Sequence, residues 1–394
     1  MLAAVGIFAL VWAVNGLLAK DPGWTQIEAD NSGEPSCAGE FTLQYNVGAD
    51  GSQPAEQFKK LTALYTDVSI QAEKLFSAAV DDEKTHGIGF LNRNVNRQVT
   101  VEPEVYNALL LLQKAKSREI FLAPVYEQYN TLFFCATDEE AESVDPSVTE
   151  EQREIIAEMI AYVSDPEQID IMLEEGNRVT LRLSDDYIAY ARRNGIERFV
   201  DLYWMKNAFA ADYMADRIFE AGFTDGYLTC GEGFTRSLGG KDILLSSTVY
   251  DRVGKSIYKA ASLKCGTVKS VVVFHDYPAG KNNDKYYYQY SEGRMVTPYI
   301  AVSDGLCRAS VSNLTVCSES KGCAETMLAA NNAYFSHEFP AEKLLKKLGE
   351  TYCFAYPRDN TIWVSSSRLT VKHLLNDGVV SYSAKVMEAK SDES

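Results

Sequence analysis

At 394 residues the chain can hold one large or two medium domains, and a formal net charge of −17 argues against nucleic acid or an anionic lipid surface as the partner of the whole chain. Its 46% hydrophobic and 24% charged content is ordinary for a globular fold. Four histidines, and eight cysteines without a C-x-x-C spacing, argue against a structural zinc site.

Met1 to Ala19 is apolar and nearly uncharged, close to the roughly 20 residues of one membrane span. It reads as a membrane anchor, with a signal peptide cleaved after Leu17-Leu18-Ala19 as the alternative. Either one places the rest of the chain outside the cytoplasm, held at the cell membrane or secreted. Residues 20–39 are polar, contain Pro and Gly, and read as a tether; a single domain is expected over 40–380 and a polar tail over 381–394.

Phe41 to Val47 alternates with period two, as a half-buried strand does. Pro54 opens a long helix with Phe58, Leu61, Leu64, Tyr65, Val68, Ala72, Leu75 and Phe76 on its buried stripe. Asp81 to Asn94 reads as a loop, Glu104 to Lys116 as an apolar helix, and acidic Ala136 to Pro146 as a mobile loop. Thr149 with Gln152 has the spacing of a capping box for a helix reaching Val163. Gln168 to Leu173 and Val179 to Leu183 flank Gly176-Asn177 as a hairpin.

The stretch Phe199 to Gly240 has the form of a strand end, a helix and a strand. Ala208, Ala211, Ala215, Ile218 and Phe219 share one helical face, and their small size permits close packing on a sheet. Gly222 suits a left-handed helix end. Tyr227 to Cys230 follows as a buried strand leading to the turn Gly231-Glu232-Gly233. Downstream, Val268 to His275 is a buried strand, Pro278 to Asp284 a turn, and Lys285 to Tyr290 an aromatic strand. Its tyrosines read as a packed sheet face, because the basic interleaving that nucleic acid needs is absent. Ala309 to Cys317 reads as a strand, Cys323 to Phe335 and Ala341 to Leu348 as helices, and Tyr352 to Tyr356 and Thr361 to Val364 as strands. In an oxidising exterior Cys317 and Cys323 form the best local disulfide candidate; eight reduced thiols are the other reading.

The central stretch resembles the FAD:protein FMN transferase (ApbE-type) family, whose segment runs D-L-G-G-I-A-K-G-Y-A-x-D, then a helix ending E-A-G and a strand ending N-x-G-G. Asp201, Leu202, Ala210, Asp212, Glu220-Ala221-Gly222 and Gly231 match without a gap. The family's paired glycines fall on Tyr203 and Trp204, its lysine on Asn207, its Asn on Thr229 and the last glycine on Glu232. Leu91-Asn92 matches the end of S-E-L-S-x-L-N, Phe121 and Val125 match F-D-P-T-V, and Gly293, Ile300 and Gly305 match D-G-K-R-Y-H-H-I-I-D-P-R-T-G. On the helix that matches A-D-A-x-x-T-A-x-F, Glu325 stands for the magnesium-binding Asp and Ala329 for the Thr one turn later.

The resemblance spans about residues 40 to 370 and implies an α/β (α+β mixed sheet), ApbE-like fold. It implies FAD and magnesium as cofactors, with Asn92, Asp201, Thr229, Gly231 and Glu232 at the flavin nucleotide and Glu325 at the metal. The family's reaction moves FMN from FAD to a Ser or Thr of a target protein. Bulk at Tyr203 and Trp204 fills space a nucleotide would use, and Glu232 brings negative charge towards a diphosphate. The expected function is therefore a non-catalytic, extracytoplasmic binding or assembly component near flavinylated redox proteins. The alternative is an active FAD:protein FMN transferase with an altered site.

Overall fold

The computed structural model describes residues 21–30, 33–80, 82–239, 243–279 and 286–388. The expected anchor over 1–19, Gly240, Lys285 and most of the turn before it lie outside these residues. No helix among the described residues is long and apolar enough to cross a membrane.

Strands β1 (Gly23–Ile27) and β2 (Phe41–Val47) pair antiparallel. Part of the expected tether therefore forms an edge strand, and Cys37, near its end, is buried. Helix α1 (Pro54–Phe76) follows as expected from its proline and apolar stripe. Within the expected loop, α2 (Ile88–Arg93) forms instead. Gly89 explains it: a Cβ there would sit 2.2 Å from the Val80 carbonyl, so only glycine allows α2 to pack against the segment that leaves α1. Strand β3 (Gln98–Thr100), α3 (Pro103–Ala115) and α4 (Ala123–Phe133) come next.

The acidic stretch is a helix, α5 (Asp138–Val144), not a loop. Thr137 Oγ1 accepts from Glu140 N at 3.2 Å, and three acids occupy the first turn, where the helix dipole favours them. Helix α6 (Glu150–Val163) lacks the expected capping box, because the Thr149 hydroxyl donates to Glu142 O at 2.5 Å. The hairpin is present as β4 (Ile169–Glu174) and β5 (Arg178–Leu183), followed by α7 (Asp185–Asn194).

The central stretch gives α8 (Lys206–Glu220), β6 (Gly226–Cys230) and β7 (Phe234–Ser237). Phe223 N donates to Ile218 O with Gly222 left-handed, which closes α8 as expected. Phe219 departs from the expected face: it is 51% exposed and borders an open groove with Leu238 and Gly239. The chain continues through β8 (Leu245–Val253), β9 (Ser256–Gly266), β10 (Ser270–His275), β11 (Tyr288–Gln289), β12 (Met295–Val296) and β13 (Asn313–Ser318). It ends with α9 (Cys323–Tyr334), α10 (Ala341–Leu348), β14 (Tyr352–Arg358), β15 (Thr361–Val364), β16 (Thr370–Lys372) and β17 (Ser383–Val386). The expected polar tail thus contributes β17, which pairs parallel with β15.

Nine strands form one mixed sheet in the order β1-β2-β6-β7-β10-β13-β14-β15-β17. Alternation along each strand divides its two faces. Val272 and Phe274 of β10 join the core shared with α1, α8 and α9, whereas Val271 and Val273 turn to the other side. That second face is covered by the three-stranded sheet β16-β9-β8. All eight cysteines are free thiols. The expected Cys317–Cys323 bond is not made: Cys317 pairs across strands with Cys353, and Cys323 Sγ donates to Thr235 O at 3.4 Å.

Candidate functional site

Of the family-matched positions, Asn92, Asp201 and Glu232 lie about the N-terminal end of α8. Asn92 fixes the approach to it from α2. Its Oδ1 accepts from Phe199 N at 2.9 Å and Val200 N at 3.0 Å, and its Nδ2 donates to Val200 O at 2.9 Å. Asn92 is thus committed to the backbone. Asp201 N donates to Ile120 O, and Asp201 Oδ1 accepts from Tyr203 N at 2.8 Å, which begins the tight turn Tyr203–Met205. Burial pushes the Asp201 carboxyl up to about 6, against the Tyr203 N–H and the fields of Arg198 and Lys206.

Tyr203 has φ +46°, the left-handed region that favours glycine. Its ring stacks on Tyr126 at 4.1 Å, meets Tyr286 edge-on, and its hydroxyl donates to Asn130 Oδ1 at 2.8 Å. A tyrosine therefore occupies a glycine-type backbone conformation, held there by its side chain. The neighbouring Trp204 is buried among Phe274, Tyr299 and Phe335.

Beyond this turn, Lys206 Nζ reaches Glu73 Oε2 at 3.0 Å and Glu40 Oε1 at 3.3 Å. Burial acts to lower the Lys206 pKa, but the two carboxylates more than offset it and hold the amine charged above its ordinary range. Asn207, fully buried, donates through Nδ2 to both Glu40 Oε2 and Glu232 Oε2 at 2.6 Å. Its Oδ1 meets no hydrogen-bond donor among the described residues. Glu232 is thereby tied to the start of α8.

Thr229 and Gly231 face away from this cluster. Thr229 Oγ1 lies 2.9 Å from Thr235 Oγ1 on the neighbouring strand. Both residues line a groove of about 290 Å³ between β6 and β8, with His275 and Tyr277. Burial pushes His275 down to about 4, so it is neutral at physiological pH.

Glu325 lies in the first turn of α9 and pairs with Lys321 Nζ at 2.8 Å. It borders a separate open groove of about 640 Å³, shared with Glu104, Asp212 and Asp216. Ala329 offers only its backbone carbonyl, which already accepts from Lys347 Nζ at 2.8 Å. Among the described residues no three His, Cys, Asp or Glu side chains converge as a metal-ligating group.

Two polar groups escaped the sequence reading as partners. One is Lys206 with Glu40 and Glu73. The other is Asp212, whose carboxylate accepts from Cys323 N at 2.8 Å and Ala324 N at 2.9 Å at the start of α9, and from Arg236 Nε at 3.0 Å. Asp212 was visible only as a matched motif letter.

No protein-family model and no curated protein matches the chain. Solved structures do. The ApbE protein of Thermotoga maritima aligns at a TM-score of 0.57 and 14% identity, over 84% of this chain and 94% of its own. The flavin transferase ApbE of Vibrio cholerae aligns at 0.53 and 13% identity, over 88% of this chain and 99% of its own. With the nine-stranded mixed sheet and its two layers in hand, these alignments establish that the chain has the ApbE fold.

Proposed function

We propose that this ApbE-like protein does not transfer FMN, and that it serves as a binding or assembly component beside flavinylated redox proteins. We further propose that residues 1–19 hold it at the cell membrane, with the bulk of the chain extracytoplasmic. The observation that carries the non-catalytic reading is Tyr203: a ring stacked on Tyr126 stands where the resemblance expects bare glycine backbone. Trp204 and the Glu232–Asn207 contact support the same reading, because they put bulk and negative charge beside it.

Magnesium does not fit the residues at the expected position. It favours near-octahedral oxygen coordination, whereas Glu325 is engaged by Lys321 and Ala329 has no side-chain oxygen. FAD fits poorly for the reasons of bulk and charge just given.

The test is a transfer assay with FAD, magnesium and a Thr-containing acceptor domain, together with an absorbance spectrum of the purified chain. The expected result is no covalent FMN on the acceptor and no flavin near one per chain. Covalent FMN on the acceptor would establish the alternative, an active FAD:protein FMN transferase. Ala329→Thr alone should not confer transfer; Tyr203→Gly, Trp204→Gly and Ala329→Thr together form the fairer reconstruction. For location, a reporter fused after Ser394 should work outside the cytoplasm; activity confined to the cytoplasm would refute the membrane-tethered reading.

A further inference from the structure

A further pocket lies where the end of α3 meets β4, behind Ile120, whose carbonyl accepts from Asp201 N. It has a volume of about 200 Å³. Its walls are Leu109, Leu112, Ile120, Phe121 and Ile171, each at most 8% exposed. Its polar lining is Gln113, Lys116, Ser117, Arg118 and Asp170, so two cations stand against one carboxylate.

Arg118 is the unusual member. Its guanidinium lies 4.6 Å over the Phe121 ring. Nη2 donates to Val163 O and Ile169 O, both at 2.9 Å, and Nε to Val163 O at 3.3 Å. Nη1 donates to none of the described residues, and Arg118 forms no ion pair among them. A half-buried guanidinium without a contact carboxylate is costly to desolvate. Burial accordingly lowers its pKa, and the fields of Asp170 and Asp165 restore only part of the loss. The helix end beside it does not compete for a ligand: Lys116 N caps Gln113 O and Ser117 N caps Leu112 O. The Ser117 hydroxyl is taken by Glu119.

We propose that this pocket binds a small organic monocarboxylate, with its apolar body among Leu109, Leu112 and Ile171 and its carboxylate on Nη1 of Arg118. An apolar cavity of about 150 Å³ accepts a benzene ring. The volume here is right for a ring, or a branched alkyl group, with a short acid arm. A charged acceptor is preferred to a neutral one because Arg118 supplies a net charge as well as N–H groups. Lys116, the other cation of the lining, is exposed, so the preference for an acid over its amide rests mainly on half-buried Arg118.

The test titrates the full chain with phenylacetate, 4-methylpentanoate and phenylacetamide, read by ligand-observed NMR. The first two should bind with Kd on the order of 0.1–1 mM, as expected for ligands of this size. The amide should bind at least roughly tenfold more weakly, since it forgoes a charge-assisted hydrogen bond. Because that contrast is measured on the unmodified chain, it does not depend on any variant folding. Arg118→Gln should weaken the acids by about tenfold and leave the amide unchanged, and Ile171→Trp, which fills the pocket, should abolish binding of all three. The proposal is overturned if neither acid saturates below about 10 mM, if acid and amide bind equally, or if binding survives Ile171→Trp.

Discussion

The middle and the N-terminal end of α8 carry two kinds of polar contact. In the middle, Asp212 joins three partners that hold the fold: Arg236 on β7 and the first two N–H groups of α9. At the N-terminal end, Asn207 and Lys206 gather the carboxylates of Glu40, Glu73 and Glu232, while Tyr203 and Trp204 fill the space above the turn. The first arrangement uses a residue that matches the ApbE motif; in the second, Tyr203, Trp204, Asn207 and Glu232 stand at its glycines and its lysine. Three elements depend on the Asp212 carboxylate at once, so the fold itself demands it. The groups at the N-terminal end carry no such threefold structural demand, which fits the non-catalytic reading proposed above.

Removing the scaffold contact should have the largest effect. Asp212→Ala leaves Arg236, only 4% exposed, with Asp216 as its one carboxylate, and leaves two N–H groups of α9 without their acceptor. Breaking a buried pair in this way costs about 3–5 kcal/mol. Urea denaturation should show that loss, and Asp212→Asn, which keeps an acceptor, should lose less. Near-native stability of Asp212→Ala would erase the distinction between the two regions.

The aromatic infill should rank next. Trp204→Ala opens a cavity among Phe274, Tyr299 and Phe335 and should cost about 3 kcal/mol or more. Tyr203→Gly also deletes a packed ring, but it relieves a left-handed backbone worth roughly 1 kcal/mol. The Tyr203 variant should therefore be the milder of the two in thermal melts. If it is the more damaging, the tyrosine is structural and its backbone conformation carries no history of glycine.

A smaller effect follows pH. The Asp201 carboxyl titrates near 3.8 when unfolded and at about 6 when folded. Between those values the folded state holds a proton that the unfolded chain has released. The contribution is complete below the unfolded pKa and is lost as pH rises through the folded one. Stability should thus fall by on the order of 1–3 kcal/mol from pH 4 to pH 7 on account of this group. Asp201→Asn keeps the Tyr203 N acceptor and should flatten that slope; an unchanged slope would show that the carboxyl is not buried enough to matter.

Most of the scaffold was readable because it rests on local signals. Pro54 and its apolar stripe specify α1, small residues and Gly222 specify α8, alternation specifies β2, and the short run ending at the Gly231-Glu232-Gly233 turn specifies β6. Helix α5 also carries a local signal, Thr137 followed by three acids, although an acidic stretch by itself suits the expected loop equally well. The partners of Lys206 were not readable, since Glu40 and Glu73 lie 166 and 133 residues away. Nor was the left-handed Tyr203, whose conformation its side chain disfavours and only Tyr126 and Asn130 explain. Thr229 and Glu232 were grouped by motif, yet they serve opposite sides of the sheet: Thr229 opens towards β8, and Glu232 reaches α8 from the turn.

The turn Gly231-Glu232-Gly233 provides the finest test of the comparison, because its two glycines meet different surroundings. At Gly233 the backbone is left-handed, and an added Cβ would lie 2.0 Å from Val273 O, which the sheet cannot yield without breaking the Val273 N bond to Gly233 O. Gly233→Ala should therefore destabilise strongly. At Gly231 the φ is not left-handed and an added Cβ meets nothing within 4 Å. Gly231 is a motif residue that the fold itself does not require. Gly231→Ala should change stability by no more than about 0.5 kcal/mol, the range of surface substitutions away from special backbone sites. A larger loss would mean that Gly231 supports the turn in solution, and it would place this motif residue in the scaffold.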